Sequence, residues 1–240
     1  MTTPHLYDDL AHLWPKLSPP DDYAPEAEII NELLTQHFGD RQLHLLELGA
    51  GGGHTLFHLK HHHHCTASDL SESMLAQCRR LNSEVPTIPA DMRTLSLDQI
   101  FDAILIHDAI DYLLTPEDLL LTFTAAANHL PVGGLLILAP DNTAETFDPS
   151  DTATDEQEDD HQTTRLTSTV SPLDANHTYD LHLTIEITDH QTARTTTHHD
   201  HHRCAAFPLD TWLKLLKQAG FTPHLPDTDL PWMLIAAVRR

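Results

Sequence analysis

A cluster of small residues follows directly on a short apolar run, where the sequence reads LLELGAGGGHT. Glycines at a turn from a strand into a helix let a ligand approach the backbone closely. A dinucleotide-binding G-x-G-x-x-G motif would need glycine at position 54, which is histidine, whereas Gly49, Gly51 and Gly53 fit a G-x-G-x-G spacing. Glu47 precedes the first glycine by two residues. An acid at that place suits a cationic amino-acid head group better than a pyrophosphate.

Two further acids follow the next short apolar runs. Asp69 ends the run CTASD, and Asp91 ends the run TIPAD and is followed by Met92. Ser71 then precedes apolar residues at helical spacing, which predicts a helix start with a polar cap. These acids therefore fall, like the glycine cluster, at the ends of successive predicted strands.

The order of these motifs resembles that of the class I S-adenosylmethionine-dependent methyltransferases, whose first motif reads acidic-x-G-x-G-x-G. The resemblance covers residues 43 to about 140 and the terminal helix and strand. It implies that Asp69 binds the two ribose hydroxyls, that Asp91 meets the adenine amino group and that Met92 packs on the adenine ring. The implied site for S-adenosylmethionine comprises Glu47, Gly49, Ala50, Gly51, Gly53, Asp69, Leu70, Asp91, Met92, His107 and Tyr23.

Each motif also has a purely structural interpretation. Gly51 and Gly53 could form only a tight strand-to-helix turn, and Asp69 could simply cap the following helix. Asp91 could be an ordinary loop acid. The run FDAILIHDAIDYL matches the fourth-strand motif of the family, and four motifs in the expected order favour the cofactor site over these alternatives taken together.

Candidate catalytic residues follow the apolar part of the run FDAILIHDAIDYL, at the end of the fourth predicted strand. Methyl transfer from a sulfonium is an in-line displacement, so the enzyme chiefly holds an uncharged nucleophile near the methyl carbon, and a base is optional. His107 has the ordinary pKa best suited to a general base near neutrality. Alternatively, His107 only hydrogen-bonds to the cofactor or a neighbouring loop. Asp108 or Asp111 could instead bind a cationic or hydroxylated acceptor.

Aromatic residues in the first 23 positions are candidates for covering the site. The stretch YDDLAHLWPKLSPPDDY resembles the cap helix that many small-molecule members of the family fold over the cofactor. We expect a short helix near residues 7–14 and a longer one over 24–37. Tyr7 and Trp14, together with Tyr112, are the predicted substrate-binding residues, and Tyr23 is assigned to the cofactor. Plain packing roles are the alternative.

Apolar strands alternating with helices from residue 43 predict a parallel sheet covered on both faces. Residues 142–164 are polar and acidic and are expected to form an exposed, mobile loop. Apolar residues then alternate with polar ones over 180–188, which predicts an inserted antiparallel sheet. The predicted fold is α/β, with a Rossmann-like seven-stranded methyltransferase sheet. Its expected parts are a helical cap (1–40), a cofactor-binding core (41–141), the insert (142–207) and a C-terminal helix and strands that complete the core (208–240).

The composition excludes several classes of function. A formal net charge of −23 repels phosphate backbones and anionic membrane surfaces, so nucleic acid is not an expected partner. No apolar run approaches the roughly 18 residues that span a bilayer, which argues against a membrane protein. Three separated cysteines without a C-x-x-C pair fit free thiols, so a cytoplasmic location is expected. The acidic excess fits either a salt-adapted source or a plain compositional bias.

Two histidine runs, HHHH at 61–64 and HHDHH at 198–202, raise the alternative of a metal-binding protein on a degenerate fold of this kind. Neighbouring side chains in a strand point to opposite faces, so no metal site is predicted. The expected acceptor is a small molecule methylated on nitrogen or oxygen, with a protein or carboxylate acceptor as the other alternative. The apolar face of the inserted sheet needs cover, which suggests a homodimer.

Overall fold

The computed structural model describes residues 4–228, 230 and 232–240. Its main sheet has seven strands, which are β1 (His44–Leu48), β2 (His64–Asp69), β3 (Thr87–Pro89), β4 (Ala103–His107), β5 (Leu135–Ala139), β10 (Phe221–His224) and β11 (Ile235–Arg239). Their order across the sheet is β10-β11-β5-β4-β1-β2-β3, which confirms the predicted fold class. Strands β1 to β5 run parallel, while β11 is antiparallel to both β5 and β10.

Helices cover both faces of this sheet because its central strands are apolar on both sides. Alternate residues of β1 and β4 point to opposite faces, so that Leu46 and Ile104 pack with Phe123 and Trp212, while Leu45 lies in the second core cluster. The helices are α1 (Trp14–Leu17), α2 (Ala24–Phe38), α3 (His54–Leu59), α4 (Glu72–Leu81), α5 (Pro116–Asn128) and α6 (Leu209–Gln218). None of the helices within the described residues is long and apolar enough to cross a membrane.

A second, antiparallel sheet is inserted between β5 and α6. It consists of four strands in sequence order, β6 (Thr152–Glu158), β7 (Gln162–Val170), β8 (Thr178–Asp189) and β9 (Arg194–Ala205). The expectation of a loop throughout 142–164 is wrong, because β6 pairs with β7 along its whole length. Every residue of β6 is exposed, so no apolar alternation marks it in the sequence.

The N-terminal segment lies against this inserted sheet. Leu6 and Leu13 form one core cluster with Leu183 and Ile185 of β8, so part of the apolar face of the insert is covered by its own chain. This cover weakens the argument that the sheet requires a second copy. The short helix expected near residues 7–14 is instead two 3₁₀ turns, His5–Tyr7 and Ala11–Leu13, followed by α1. The amide of Leu6 is held by the carboxylate of Asp200 at 2.7 Å, and this long-range bond is not readable from local sequence.

Candidate active site

The glycine cluster forms the turn from β1 into α3. Gly49 has φ +72°, a left-handed conformation that side chains other than glycine rarely adopt. A Cβ atom on Gly49 would lie 2.2 Å from the Cβ of Ala109 and 3.1 Å from the Cε of Met92. Gly53 backs onto α4, where a Cβ atom would meet the sulfur of Cys78 at 2.5 Å. The loop is therefore tightly packed at Gly49 and Gly53 and least crowded at Gly51, where a Cβ atom would meet only the Cε of Met74, at 3.4 Å.

Asp69, at the end of β2, anchors this loop. One carboxylate oxygen accepts the Gly51 N–H at 2.8 Å, and the other accepts the Ser71 N–H at 2.7 Å. Burial raises the pKa of Asp69, although these backbone donors act in the opposite direction. Ser71 also caps α4 by accepting the Met74 N–H at 3.0 Å. Leu70, between them, is 71% exposed at the rim.

Asp91 and Met92 follow β3 at the same edge of the sheet. Both oxygens of Asp91 are engaged by the guanidinium of Arg93, the shortest distance being 2.6 Å, and Arg93 also reaches Asp118 at 3.0 Å. The hydrogen bonds from Arg93 lower the pKa of Asp91. A carboxylate has more lone pairs than the hydrogen bonds from Arg93 use, so Asp91 can still accept a hydrogen bond from an adenine amino group. That contact stays a prediction.

Several acidic side chains surround the end of β4. The Nε2 atom of His107 lies 2.8 Å from Glu26 of α2 and 3.0 Å from Asp108, and the Glu26 side chain is 3% exposed. Glu47 is 3% exposed, and its Oε2 has no hydrogen-bond partner. Burial raises the pKa of Glu47 to about 8. An orphaned carboxylate oxygen beside the glycine turn is suited to receive a cationic group.

The surroundings of His107 do not favour the predicted general-base role. Burial lowers the pKa of His107, but Asp108 and Glu26 outweigh it and raise the pKa to about 10. The imidazole is therefore protonated at neutral pH and has no lone pair to accept a proton. The geometry favours the alternative, in which His107 holds neighbouring acids in place.

The two other candidate acids differ in their surroundings. Asp108 has φ +34°, a left-handed value that is uncommon outside glycine, and its side chain is 48% exposed. Asp111 is 2% exposed and accepts the Asp141 N–H at 3.2 Å. Burial, together with the charges of Asp141 and Asp108, raises the pKa of Asp111 well above its ordinary range. Asp108 is thus accessible to a ligand, whereas Asp111 ties the end of β5 to the turn after β4.

Aromatic side chains from the N-terminal segment close over the glycine turn. A Cβ atom on Gly52 would lie 2.8 Å from the indole of Trp14, so Trp14 packs directly on the backbone of the loop. Trp14 also stacks on His54, with ring centroids 6.2 Å apart. Tyr23 packs edge-on against His54 at 5.4 Å and His107 at 5.9 Å. Trp14, predicted to bind substrate, therefore lies at the predicted cofactor loop together with Tyr23.

Tyr7 and Tyr112 meet farther along the cleft. Their hydroxyl oxygens are 3.0 Å apart, and the Tyr112 oxygen is 2.5 Å from the Nδ1 of His202. The Nε2 of His202 lies 3.1 Å from a carboxylate oxygen of Asp200. The structure thus joins the cap, the 3₁₀ turn Ala109–Tyr112 after β4 and strand β9 through one row of hydrogen bonds.

Sequence reasoning missed several residues of this region. Glu26 lies in the first turn of α2, where an acid is common, so its sequence position gave no signal that the side chain is buried and paired with His107. Asp200 and His202 belong to the run HHDHH at 198–202, whose polar sequence is typical of an exposed strand. Within the described part of the chain, no group of three or more His, Cys, Asp or Glu side chains could hold a metal ion.

Comparison with known proteins agrees with this architecture. Residues 45–134 match the methyltransferase domain family. The chain is 32% identical over 128 residues to a Streptomyces venezuelae dTDP-3-amino-3,4,6-trideoxy-alpha-D-glucopyranose N,N-dimethyltransferase; the match covers 52% of this chain and spans about half of that protein, 54%.

Two solved structures show the same fold. Streptomyces venezuelae DesVI superimposes with a TM-score of 0.84 at 23% identity, covering 97% of this chain and 96% of that one. The S-adenosylmethionine-bound amino pentose methyltransferase CalS10 from Micromonospora echinaspora gives a TM-score of 0.81 at 22% identity, covering 91% and 92%. Residues 45–134 therefore resemble the methyltransferase domain family in sequence, and the whole chain has the same fold as these two solved methyltransferase structures.

Proposed function

We propose that this protein is an S-adenosylmethionine-dependent methyltransferase that methylates a nitrogen of a small-molecule amine. The observation that carries the proposal is the orphaned Oε2 of Glu47 next to a turn built of glycines. A cradle without side chains accommodates a nucleoside, and a buried acid without a partner accommodates the ammonium of an amino acid. S-adenosylmethionine has both parts and supplies a methyl group on a sulfonium.

Each of these residues contacts a different part of the cofactor. Glu47 receives the amino group, Asp69 the ribose hydroxyls, and Met92 the adenine ring, with Asp91 beside it. Trp14 and Tyr23 exclude water from above the loop, which favours displacement at the methyl carbon. His107 keeps Glu26 and Asp108 in place as an imidazolium.

The acceptor is proposed to be an amine because the names of the relatives describe amino-sugar methyltransferases. A hydroxyl acceptor is the alternative. A cavity of about 170 Å³ beside the end of β5, lined among others by Asp141, Asn142, Thr143 and Trp232, is offered as part of the acceptor site. Burial raises the pKa of Asp141 well above its ordinary range, so its carboxyl group can donate or accept a hydrogen bond with an amine or a hydroxyl of the acceptor.

We further propose that the acceptor carries no nucleotide diphosphate, unlike the dTDP-linked molecule in the name of the curated relative. A diphosphate is usually bound by Lys, Arg or helix N-termini. Seven of the thirteen lysine and arginine side chains are paired with carboxylates, and among these seven only Arg93 pairs with a predicted cofactor residue. The engaged residues are Lys16, Arg41, Lys60, Arg79, Arg93, Arg165 and Arg203.

Isothermal titration with S-adenosylmethionine and S-adenosylhomocysteine tests the cofactor site. We expect micromolar binding to the wild type, a loss of at least tenfold in Asp69→Ala, and no change in the matched surface control Asp210→Ala. An acceptor screen with labelled cofactor then starts from small amines and hydroxylated metabolites. Stoichiometric micromolar zinc or nickel binding without cofactor binding would favour the metal-binding alternative, and methylation only of proteins would favour a macromolecular acceptor.

A cytoplasmic location and a homodimer remain separate proposals. The three cysteines are free and buried, which suits a reducing compartment. The outer edge of β6 has no strand beside it among the described residues and could pair with a second copy. Size-exclusion chromatography with light scattering that shows only a monomer would remove the dimer proposal.

A further inference from the structure

We propose that Tyr7, Tyr112, His202 and Asp200 form a proton relay that takes a proton from the acceptor amine, with Tyr7 at the acceptor and His202 as the group that stores the proton. The inference rests on the proposed N-methylation. It assigns a role to two residues of the inserted sheet that the cofactor site does not use. The relay consists of three consecutive contacts of 3.0, 2.5 and 3.1 Å.

The charge of Asp200 fixes the direction of the relay. A carboxylate can only accept, so the Nε2–H of His202 donates to Asp200 and the Nδ1 of a neutral ring accepts the Tyr112 hydroxyl. The Tyr112 oxygen then accepts the hydroxyl of Tyr7. Every proton is directed toward Asp200, which leaves lone pairs of the Tyr7 oxygen free to accept a proton from outside.

The protonation states agree with this direction. Burial opposes ionisation of Asp200, but the N–H groups of Leu6 and His201 and the ring of His202 outweigh it and lower the pKa of Asp200. Burial lowers the pKa of His202 although Asp200 acts in the opposite direction. Because the pKa of His202 lies below its ordinary value, the ring is neutral at physiological pH and can accept a proton.

The relay is shielded from bulk water and packed by rings. His202 is 1% exposed and Asp200 is 7% exposed. The ring of Tyr7 packs at 5.2 Å from His202 and 5.8 Å from Tyr112. The titratable groups that surround His202 are Asp200 on its own strand, Tyr112 after β4 and Tyr7 from the N-terminal segment, with His201 and Cys204 as neighbours along β9.

The proton transfers of the proposed relay balance. An acceptor R–NH₃⁺ gives one proton to the Tyr7 oxygen as the Tyr7 proton passes to Tyr112 and the Tyr112 proton passes to Nδ1 of His202. The products are R–NH₂ and an imidazolium beside Asp200. The nitrogen lone pair then attacks the methyl carbon, the C–S bond breaks, and its electron pair stays on sulfur. The imidazolium returns its proton along the same path after the methylated product leaves.

The deciding experiment requires no acceptor. Long-range ¹H–¹⁵N correlation on histidine-labelled protein with S-adenosylhomocysteine gives the tautomer of His202, assigned by difference with His202→Gln. We expect the Nε2–H tautomer at pH 7.5, and an Nδ1 signal that changes in Tyr112→Phe. A protonated ring or an Nδ1–H tautomer would overturn the relay while leaving cofactor binding, and so the proposed methyltransferase activity, intact.

Kinetics with glucosamine as a primary-amine probe give a second test. His202→Gln keeps an acceptor for Tyr112 but cannot store a proton, so kcat should fall at least tenfold with little change in the affinity for S-adenosylhomocysteine. The rate in the variant should then rise with pH, as direct deprotonation of the amine replaces the relay. His201→Gln, on the exposed face of the same strand, is the matched control. An unchanged pH profile in His202→Gln would show that the residue serves packing alone.

Discussion

The Nε2 atom of His107 lies 2.8 Å from a carboxylate oxygen of Glu26, which joins the end of β4 to the first turn of α2 by a buried ion pair. The pKa of His107 is raised to about 10 from an ordinary value of 6.5. A cation favoured by folding contributes stability fully below the unfolded pKa and loses it as the pH rises through the folded pKa. The pair therefore stabilises the fold most below about pH 6.5.

We expect His107→Gln to lower the free energy of unfolding by roughly 3–5 kcal/mol near neutrality, because it leaves Glu26 buried without its partner. The difference from wild type should shrink between pH 6.5 and 10, the window in which the folded wild type loses the proton. Urea unfolding across this range measures it. His224→Gln, at an exposed position of β10, is the control. A difference that is constant with pH would contradict the assigned ion pair.

Alanine substitutions at Gly49 and at Gly133 distinguish the effect of backbone strain from the effect of close packing. Both have positive φ, +72° and +84°, but a Cβ atom on Gly133 would meet nothing within 4 Å. Alanine at either site pays about 1–2 kcal/mol for the left-handed backbone. Gly49→Ala adds a clash with Ala109, so it should be the less stable variant and should lose cofactor affinity at least tenfold. Thermal unfolding and titration with S-adenosylhomocysteine measure both effects, and equal behaviour of the two variants would be inconsistent with the packing described.

Glu47 should lose a proton when the cofactor binds. Its pKa is raised to about 8, so much of the carboxyl is protonated at pH 7 in the free protein. An ammonium beside it stabilises the carboxylate and lowers that pKa. Titration calorimetry in buffers of different ionisation enthalpy should therefore show release of up to about one proton per S-adenosylhomocysteine. Glu47→Gln should abolish the release; persistent release in this variant would assign the proton to another group.

Thymidine diphosphate should not bind. The protein has a net charge of −23, and most of its arginines and lysines are already paired with carboxylates, so we expect a diphosphate to be repelled. Calorimetry on the complex with S-adenosylhomocysteine should give no measurable heat at millimolar thymidine diphosphate in moderate salt. Micromolar binding would mean that a nucleotide-linked acceptor is recognised through groups other than these side chains.

Much of the sheet could be predicted because local signals suffice for it. Continuous apolar runs specify β1, β4 and β5, and Ser71 marks the start of α4 by the same backbone bond that the structure contains. The glycine spacing identifies the turn after β1 because only glycine tolerates its conformation. These features depend on residues that are neighbours in sequence.

The remaining features depend on contacts between distant segments. The role of His107 follows from Glu26, which is 81 positions away and gives no pattern of its own. Likewise, His202 and His201 are adjacent in the sequence, yet one is 1% exposed and the other lies on the open face. Tertiary packing decides which face of β9 contacts the N-terminal segment. The sequence pattern HHDHH does not indicate which of its side chains become buried.

The outer strand β6 has a consequence for behaviour in solution. Its seven residues are all exposed, and three of them, Asp155, Glu156 and Glu158, are acidic. Two such edges that approach each other bring like charges together, which opposes sheet-to-sheet pairing in dilute buffer. At about 1 M salt the Debye length falls to about 3 Å, so this repulsion is largely screened. Ionic strength should therefore control self-association, with monomers favoured in low salt and edge-paired species appearing as salt is added.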